Sequence, residues 1–168
     1  MYLDFLYIPL DYFSVLNKEE IRFEVHIPLV IGIASLCYST CANNNSQYIF
    51  IQEVMQFIET LLGFTLAALT LLLSNDHMEE KTKNFVTKRK KRNKPISMYE
   101  LLILQFSHLI VVEALLCIAY YVADLFQIFP NQIVVMIANT LFIFVVFHIM
   151  LATIRAVSCI YLIATGLR

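Results

Sequence analysis

Positive charge is distributed along this 168-residue chain in a way that few folds allow. Neither 23–80 nor 95–154 contains a Lys or Arg, and eight of the 12 basic residues fall between Lys81 and Lys94. Two long stretches free of positive charge, split by one dense basic cluster, describe a chain that crosses a membrane several times. Composition agrees: 60% of the residues are hydrophobic and 15% charged, against about 45–50% and about 25% in ordinary soluble domains. Disorder is excluded by the same numbers, because it needs low hydrophobicity and high charge. The formal net charge of −1 conceals the pattern.

Length limits the organisation further. A hydrocarbon core about 30 Å thick takes roughly 20 helical residues per crossing. Four crossings use about half the chain and leave no piece able to bury a separate soluble core. The expected fold is all-α: a single membrane domain, a four-transmembrane-helix bundle with an N-terminal interfacial segment. Residues 1–25 mix Tyr2, Phe5, Tyr7, Tyr12 and Phe13 with Asp4, Asp11, Lys18, Glu19, Glu20, Arg22 and Glu24, and Pro9 interrupts any long helix. They are expected at the membrane surface or folded onto a partner subunit.

The four spans are expected at 26–42, 48–74, 97–128 and 131–165, with a turn at Asn43-Asn44-Asn45-Ser46 and a basic cytosolic loop over 75–96. Ser97-Met98-Tyr99-Glu100 is a capping box, with Ile96 and Leu101 placed as its hydrophobic staple, so a helix begins at Ser97. The positive-inside rule puts the basic loop in the cytoplasm, and four crossings then put both termini there. Lys18 and Arg22 before the first span, and Arg155 and Arg168 near the end of the last, fit that orientation. Cys37, Cys41, Cys117 and Cys159 lie in or beside apolar segments without a CxxC pair and read as packed thiols.

Ionisable groups inside a bilayer cost about 2.5–3.5 kcal/mol each, so each needs a reason. Glu59 and Glu113 fall near the middle of their helices, and Asn139 can join them in one layer. That layer senses protons or ions, or lines a pore; alternatively, it is a hydrogen-bonded polar layer that fixes helix register and oligomeric state. His108 and His148 fall at comparable depth in the cytoplasmic halves of their helices. They are expected to pair with Gln105, Glu113, Arg155 or a buried water rather than to ligate haem. Arg155 is expected to snorkel to the headgroups, or to meet Asp76 or Glu100.

The cluster Lys88, Arg89, Lys90, Lys91, Arg92 and Lys94 has three uses: setting topology, attracting anionic lipid headgroups at about 1 kcal/mol per charge, or docking an acidic cytosolic protein. Without interleaved aromatics, no direct nucleic-acid readout is expected. Gly63 with Ala67 and Ala152 with Ala156 are small-xxx-small pairs suited to close helix packing. There is no GxxxxGK[ST], HExxH or GxSxG sequence, no potassium-filter sequence, and only three glycines. The chain therefore does not read as an enzyme or as a secondary transporter with matched helix breaks. No catalytic residue, metal or cofactor is expected.

Leu62-Gly63-Phe64-Thr65-Leu66-Ala67-Ala68, the basic loop, and Ser97 to Glu113 with Gln105, Ser107 and His108 give the chain a plan. It resembles that of the KwaA-like membrane subunits of the Kiwa anti-phage defence system. The resemblance implies a non-enzymatic homo-oligomer, a tetramer, that detects infection at the inner membrane of a prokaryote. It also implies a cytosolic effector partner, soluble and DNA-binding. The expected function is thus a membrane sensor or anchor that recruits or regulates that effector. The alternative is a pore-forming or ion-conducting effector, holin-like or CRISPR-associated, with Glu59, Glu113 and Asn139 along its path.

Overall fold

The computed structural model describes residues 4–39, 45–74, 82, 86–91, 94–126 and 132–165. Helices account for nearly all of it: α1 (Tyr7–Val15), α2 (Lys18–Ile21), α3 (Ile27–Ser39), α4 (Asn45–Ser74), α5 (Met98–Phe126) and α6 (Gln132–Thr165). A two-stranded antiparallel ribbon, β1 (Val86–Lys91) and β2 (Lys94–Ser97), sits between α4 and α5.

Among the described residues, three helices are long and apolar enough to cross a membrane: Ile51–Ser74, Met98–Leu125 and Val134–Ile163. The shortest has 24 residues, about 36 Å at 1.5 Å per residue, which exceeds the roughly 30 Å of hydrocarbon. Phe64, Leu71, Leu125 and Ile154 project outward, each at least 60% exposed. Apolar faces of that kind suit lipid rather than water.

The expected first span, 26–42, differs. Its described part is α3, whose 13 residues measure about 20 Å, short of a full crossing; residues 40–44 lie outside the described residues. α3 lies along α6 in the opposite direction. A Cβ added at Gly32 would stand 3.2 Å from the Thr140 carbonyl oxygen and 3.4 Å from Phe144 Cβ, so the two helices approach closely there. Gly32→Leu should therefore cost about 1–3 kcal/mol through overpacking. Thermal unfolding in detergent measures it, and an unchanged midpoint would rule out the close approach.

Helix α4 packs on α5, α5 on α6, and α1 lies across the start of α5. Ile58, Leu102, Leu109, Ile149, Ala152 and Ala156 form the centre of the buried core. Thr65 meets Glu113 and Glu59 meets Tyr121, so α4 and α5 run antiparallel. Continuing that register brings the end of α4, at Ser74, level with about residue 104 of α5. The first turns of α5 and the last turns of α6 therefore extend past α4. The N-terminal segment fills the step.

Several local expectations change here. The N-terminal segment packs in part against its own chain: Tyr12 and Val15 are buried, while Phe5, Tyr7, Leu10 and Phe23 stay exposed. Pro9 falls in the first turn of α1, where a missing backbone N–H costs nothing. A continuous rod runs from Lys18 to Ser39 through a π-turn at Arg22–His26, so the boundary drawn at residue 25 falls inside a helix. Asn45 and Ser46 open α4 instead of completing a turn.

The capping box forms as its residues dictate. The Ser97 N–H donates to Glu100 Oε2 at 2.9 Å, and the Glu100 N–H donates to Ser97 Oγ at 3.2 Å. Ile96 and Leu101 are both buried beside it, and α5 begins one residue later, at Met98.

The loop expected over 75–96 contains the ribbon. Lys91 pairs with Lys94, Lys90 with Pro95 and Val86 with Ser97, with a bulge between Val86 and Lys90. Thr87 Oγ1 donates to the Ile96 carbonyl at 2.7 Å. Successive strand side chains point to opposite faces. Arg89 and Lys91 accordingly share one face, turned toward acids of the N-terminal segment, while Lys90 is exposed.

Candidate functional site

Helices α1, α2, the π-turn, α5, α6 and the ribbon converge where α4 stops. The residues they bring together are polar and mostly buried. Arg155 of α6 is the hub. Its Nε lies 3.0 Å from Glu24 Oε1, its Nη2 donates to the Tyr12 hydroxyl oxygen at 2.7 Å, and its Nη1 lies 3.6 Å from Glu20 Oε2. The Gln105 amide faces the same guanidinium. With its oxygen turned inward, it accepts from Nε at 3.0 Å and from Nη2 at 3.2 Å.

Glu24 is 2% exposed and is satisfied from several directions. The Tyr12 hydroxyl donates to its Oε2 at 2.6 Å, Arg155 holds Oε1, and its backbone carbonyl lies 2.7 Å from His148 Nδ1. Burial, reinforced by Glu24, lifts the Tyr12 phenol well above its ordinary value, with Arg155 pulling the other way. Tyr12 therefore remains a donor throughout the working pH range. The ribbon joins through Arg89, which pairs with Glu20 Oε1, and through Lys91, 2.8 Å from Asp11 Oδ2.

The sequence explains why this segment folds so. The Asn17 N–H donates to Glu20 Oε2 at 2.8 Å, capping the helix that starts at Lys18. Glu20 and Glu24 then stand four residues apart on one helical face. The π-turn adds one residue per turn and is a form concentrated at functional positions.

The histidines complete the cluster. Nε2 of His108 and Nε2 of His148 are 3.0 Å apart, and both rings are buried. Tyr12 stacks on His108 with centroids 3.8 Å apart and planes 12° apart, and the Arg155 guanidinium carbon sits 5.1 Å from the Tyr12 ring centroid. Phe13 packs edge-on against His108. Four charged groups thus balance as two pairs, Arg155 with Glu24 and Arg89 with Glu20. Pairing and hydrogen bonding of this kind are what a buried charge requires.

Several sequence expectations are corrected by this geometry. His108 and His148 pair with each other, and His148 with the Glu24 carbonyl, rather than with the side chains of Gln105, Glu113 or Arg155. Arg155 neither snorkels nor meets Glu100, which is occupied as a helix cap; Asp76 lies outside the described residues. Glu59 and Glu113 hydrogen-bond to different partners. Glu113 is fully buried and receives the Thr65 hydroxyl at 2.7 Å. Glu59 is exposed on α4 and accepts from the Tyr121 hydroxyl. Asn139 is half-buried on α6 and takes part in neither pair.

Of the basic cluster, Arg89 and Lys91 face inward, while Lys90 and Lys94 face outward. The side chain of Lys88 and all of Arg92 lie outside the described residues. Ala152 and Ala156 are buried at the centre, whereas Gly63 and Ala67 are exposed and nothing lies within 4 Å of a Cβ added at Gly63. Among the described residues, no group of three or more His, Cys, Asp or Glu side chains could hold a metal ion. Comparison with known protein families, with curated proteins and with solved structures finds no match to the chain.

Proposed function

We propose that the protein is a non-enzymatic, oligomeric membrane sensor or anchor that presents the β1–β2 ribbon to a cytosolic partner. One observation carries this. An unbroken chain of polar contacts runs from Arg89 of the ribbon through Glu20 into Arg155, Glu24 and the histidine pair on the long helices, and Lys91 ties the ribbon separately to Asp11 of α1. A shift between α5 and α6 therefore moves a surface that carries exposed Lys90 and Lys94. Those lysines suit an acidic protein face or anionic headgroups.

In this reading the segment 26–42 supplies the fourth crossing, and the ribbon, the N-terminal segment and the end of α6 are cytosolic by the positive-inside rule. The resemblance to KwaA-like subunits supplies the proposed setting: the inner membrane of a prokaryote, anti-phage defence, and a DNA-binding effector as partner. An ion-conducting assembly is favoured instead by the Glu59–Tyr121 pair, which leaves a carboxylate on the outer face of a span, where lipid cannot satisfy it.

Native mass measurement of the complex purified from cells tests both. Several copies of the chain with a cytosolic protein are expected, and Lys90→Glu with Lys94→Glu should lose that protein at unchanged copy number. A monomer without partner would overturn the anchor. Prompt depolarisation on expression of this chain alone would favour the conducting assembly.

A further inference from the structure

We infer that α4 is the seam along which copies of this chain assemble: a polar stripe on its outward face meets the same stripe of a second copy inside the membrane. This deepens the proposed oligomeric membrane protein, and rests on that reading, by naming the surface that joins its copies.

Six residues draw the stripe: Gln52, Gln56, Glu59, Gly63, Ala67 and Thr70, all exposed. Their steps of four, three, four, four and three residues average about 3.6, one helical turn, so at about 100° per residue they share a sector of about 80°. Between Gln52 and Ser74 no large apolar side chain stands in that sector. Bulky side chains flank it instead, with exposed Phe57 and Phe64 on one side and Leu66 and Leu73 on the other. The opposite face, with Met55, Ile58, Thr65 and Leu72, is buried where α4 packs on α5. The stripe is thus turned away from its own chain, on a helix long and apolar enough to cross a membrane.

Lipid cannot satisfy this face. Acyl chains offer no hydrogen bonds, and polar groups within a span turn to protein or to a water-filled cavity. The Tyr121 hydroxyl donates to Glu59 Oε1. Glu59 Oε2 and the carboxamides of Gln52 and Gln56 have no partner among the described residues. The hydroxyl hydrogens along the stripe are spent inside the helix. Thr60 donates to the Gln56 carbonyl at 2.9 Å, Thr70 to the Leu66 carbonyl at 2.8 Å and Ser74 to the Leu71 carbonyl at 3.3 Å. The glutamines are therefore its donors, and Glu59 and the hydroxyl oxygens its acceptors. With both on one helix, the stripe is complementary to itself.

Depth selects a second copy as the occupant. Copies inserted in the same sense are related by an axis along the membrane normal, so their α4 helices run parallel with equal residues at equal depth. Gln56 of one copy then lies about 4.5 Å in depth from Glu59 of the next, within reach of its carboxylate. An added Cβ at Gly63 would meet nothing within 4 Å of its own chain. With Ala67 one turn further on, that gap lets two helix backbones approach closely enough for such bonds to form. An unrelated membrane protein would need a matching row of polar groups at the same depths, whereas a second copy has it by identity.

Cysteine cross-linking in cell membranes reads the contact. In a chain with Cys37, Cys41, Cys117 and Cys159 replaced by alanine, Gln56→Cys, Gly63→Cys and Thr70→Cys are introduced singly. On brief oxidation each should give disulfide-linked pairs at least about fivefold more than Leu125→Cys or Ile154→Cys, which are exposed outside the stripe. Native mass of Gly63→Leu, made in the chain with its own cysteines, supplies a second measurement. The new side chain meets open space in its own chain, so the protomer keeps its packing while the multi-copy species should be mostly lost. A monomeric unmodified chain would overturn the proposed assembly and this seam together. An assembly whose copy number survives Gly63→Leu would overturn the seam alone. So would stripe cysteines that link no better than those at 125 and 154, or that link to a different protein in place of a second copy.

Discussion

Arg155→Met is expected to destabilise the protein by about 3–5 kcal/mol, because it strands Glu24 as an unpaired buried carboxylate. The side chains involved are only 14% and 3% exposed, so solvent screens the pair little. Tyr12, Gln105 and Glu20 lose their common partner in the same step. Adding Glu24→Gln to Arg155→Met removes the stranded charge, and the double variant should recover at least about 1 kcal/mol relative to Arg155→Met alone. Unfolding in mixed micelles with a denaturing detergent supplies the double-mutant cycle. Strict additivity of the two substitutions would show that Glu24 and Arg155 do not interact.

Tyr12→Ala has the second-largest expected effect, about 3–5 kcal/mol, the usual loss for a large buried aromatic. Tyr12 is 1% exposed, stacks on His108 and bridges Arg155 to Glu24. Its removal should free α1 while α4 and α5 remain packed, so limited proteolysis should cut within residues 5–16 in the variant and spare them in the unmodified chain. Tyr12→Phe keeps the stack and loses only the hydroxyl, costing about 1–3 kcal/mol. Equal protease resistance of Tyr12→Ala and the unmodified chain would contradict the docking of α1.

What could be read beforehand was local or periodic. The long apolar helices announce themselves by length and by the absence of charge, and the Ser97 cap by four consecutive residues. The histidines were placed at similar depth, since depth follows from counting along each helix. Their partners depend on how the helices are rotated about their axes, and the two residues stand 40 apart in sequence. The same limit applies more strongly elsewhere: 69 residues separate Arg89 from Glu20, 124 separate His148 from Glu24, and 143 separate Arg155 from Tyr12.

Residues 1–25 read as interfacial because their apolar run is too short and too acidic to span. Among these acids Glu24 is buried, and its cation, Arg155, comes from the other end of the chain. The Asn17-to-Glu20 cap and the four-residue spacing of Glu20 and Glu24 were available as signals of a helix with one acidic face. The ribbon was harder to anticipate, because a run of Lys and Arg has little strand preference of its own. Contacts to Glu20 and Asp11 override that preference.

Alternation along β1 means that the basic run serves two masters at once. Positions 89 and 91 are tied to fixed acids, so their spacing is constrained by geometry. Position 90 between them answers only to whatever lies outside. Substitution at the outward site can retune what the surface attracts without disturbing the inward bonds. Gain or loss of a single residue in the strand would instead exchange the two sets and turn the anchoring cations away from their acids. The hairpin is thus free to change its outward chemistry and held to its length.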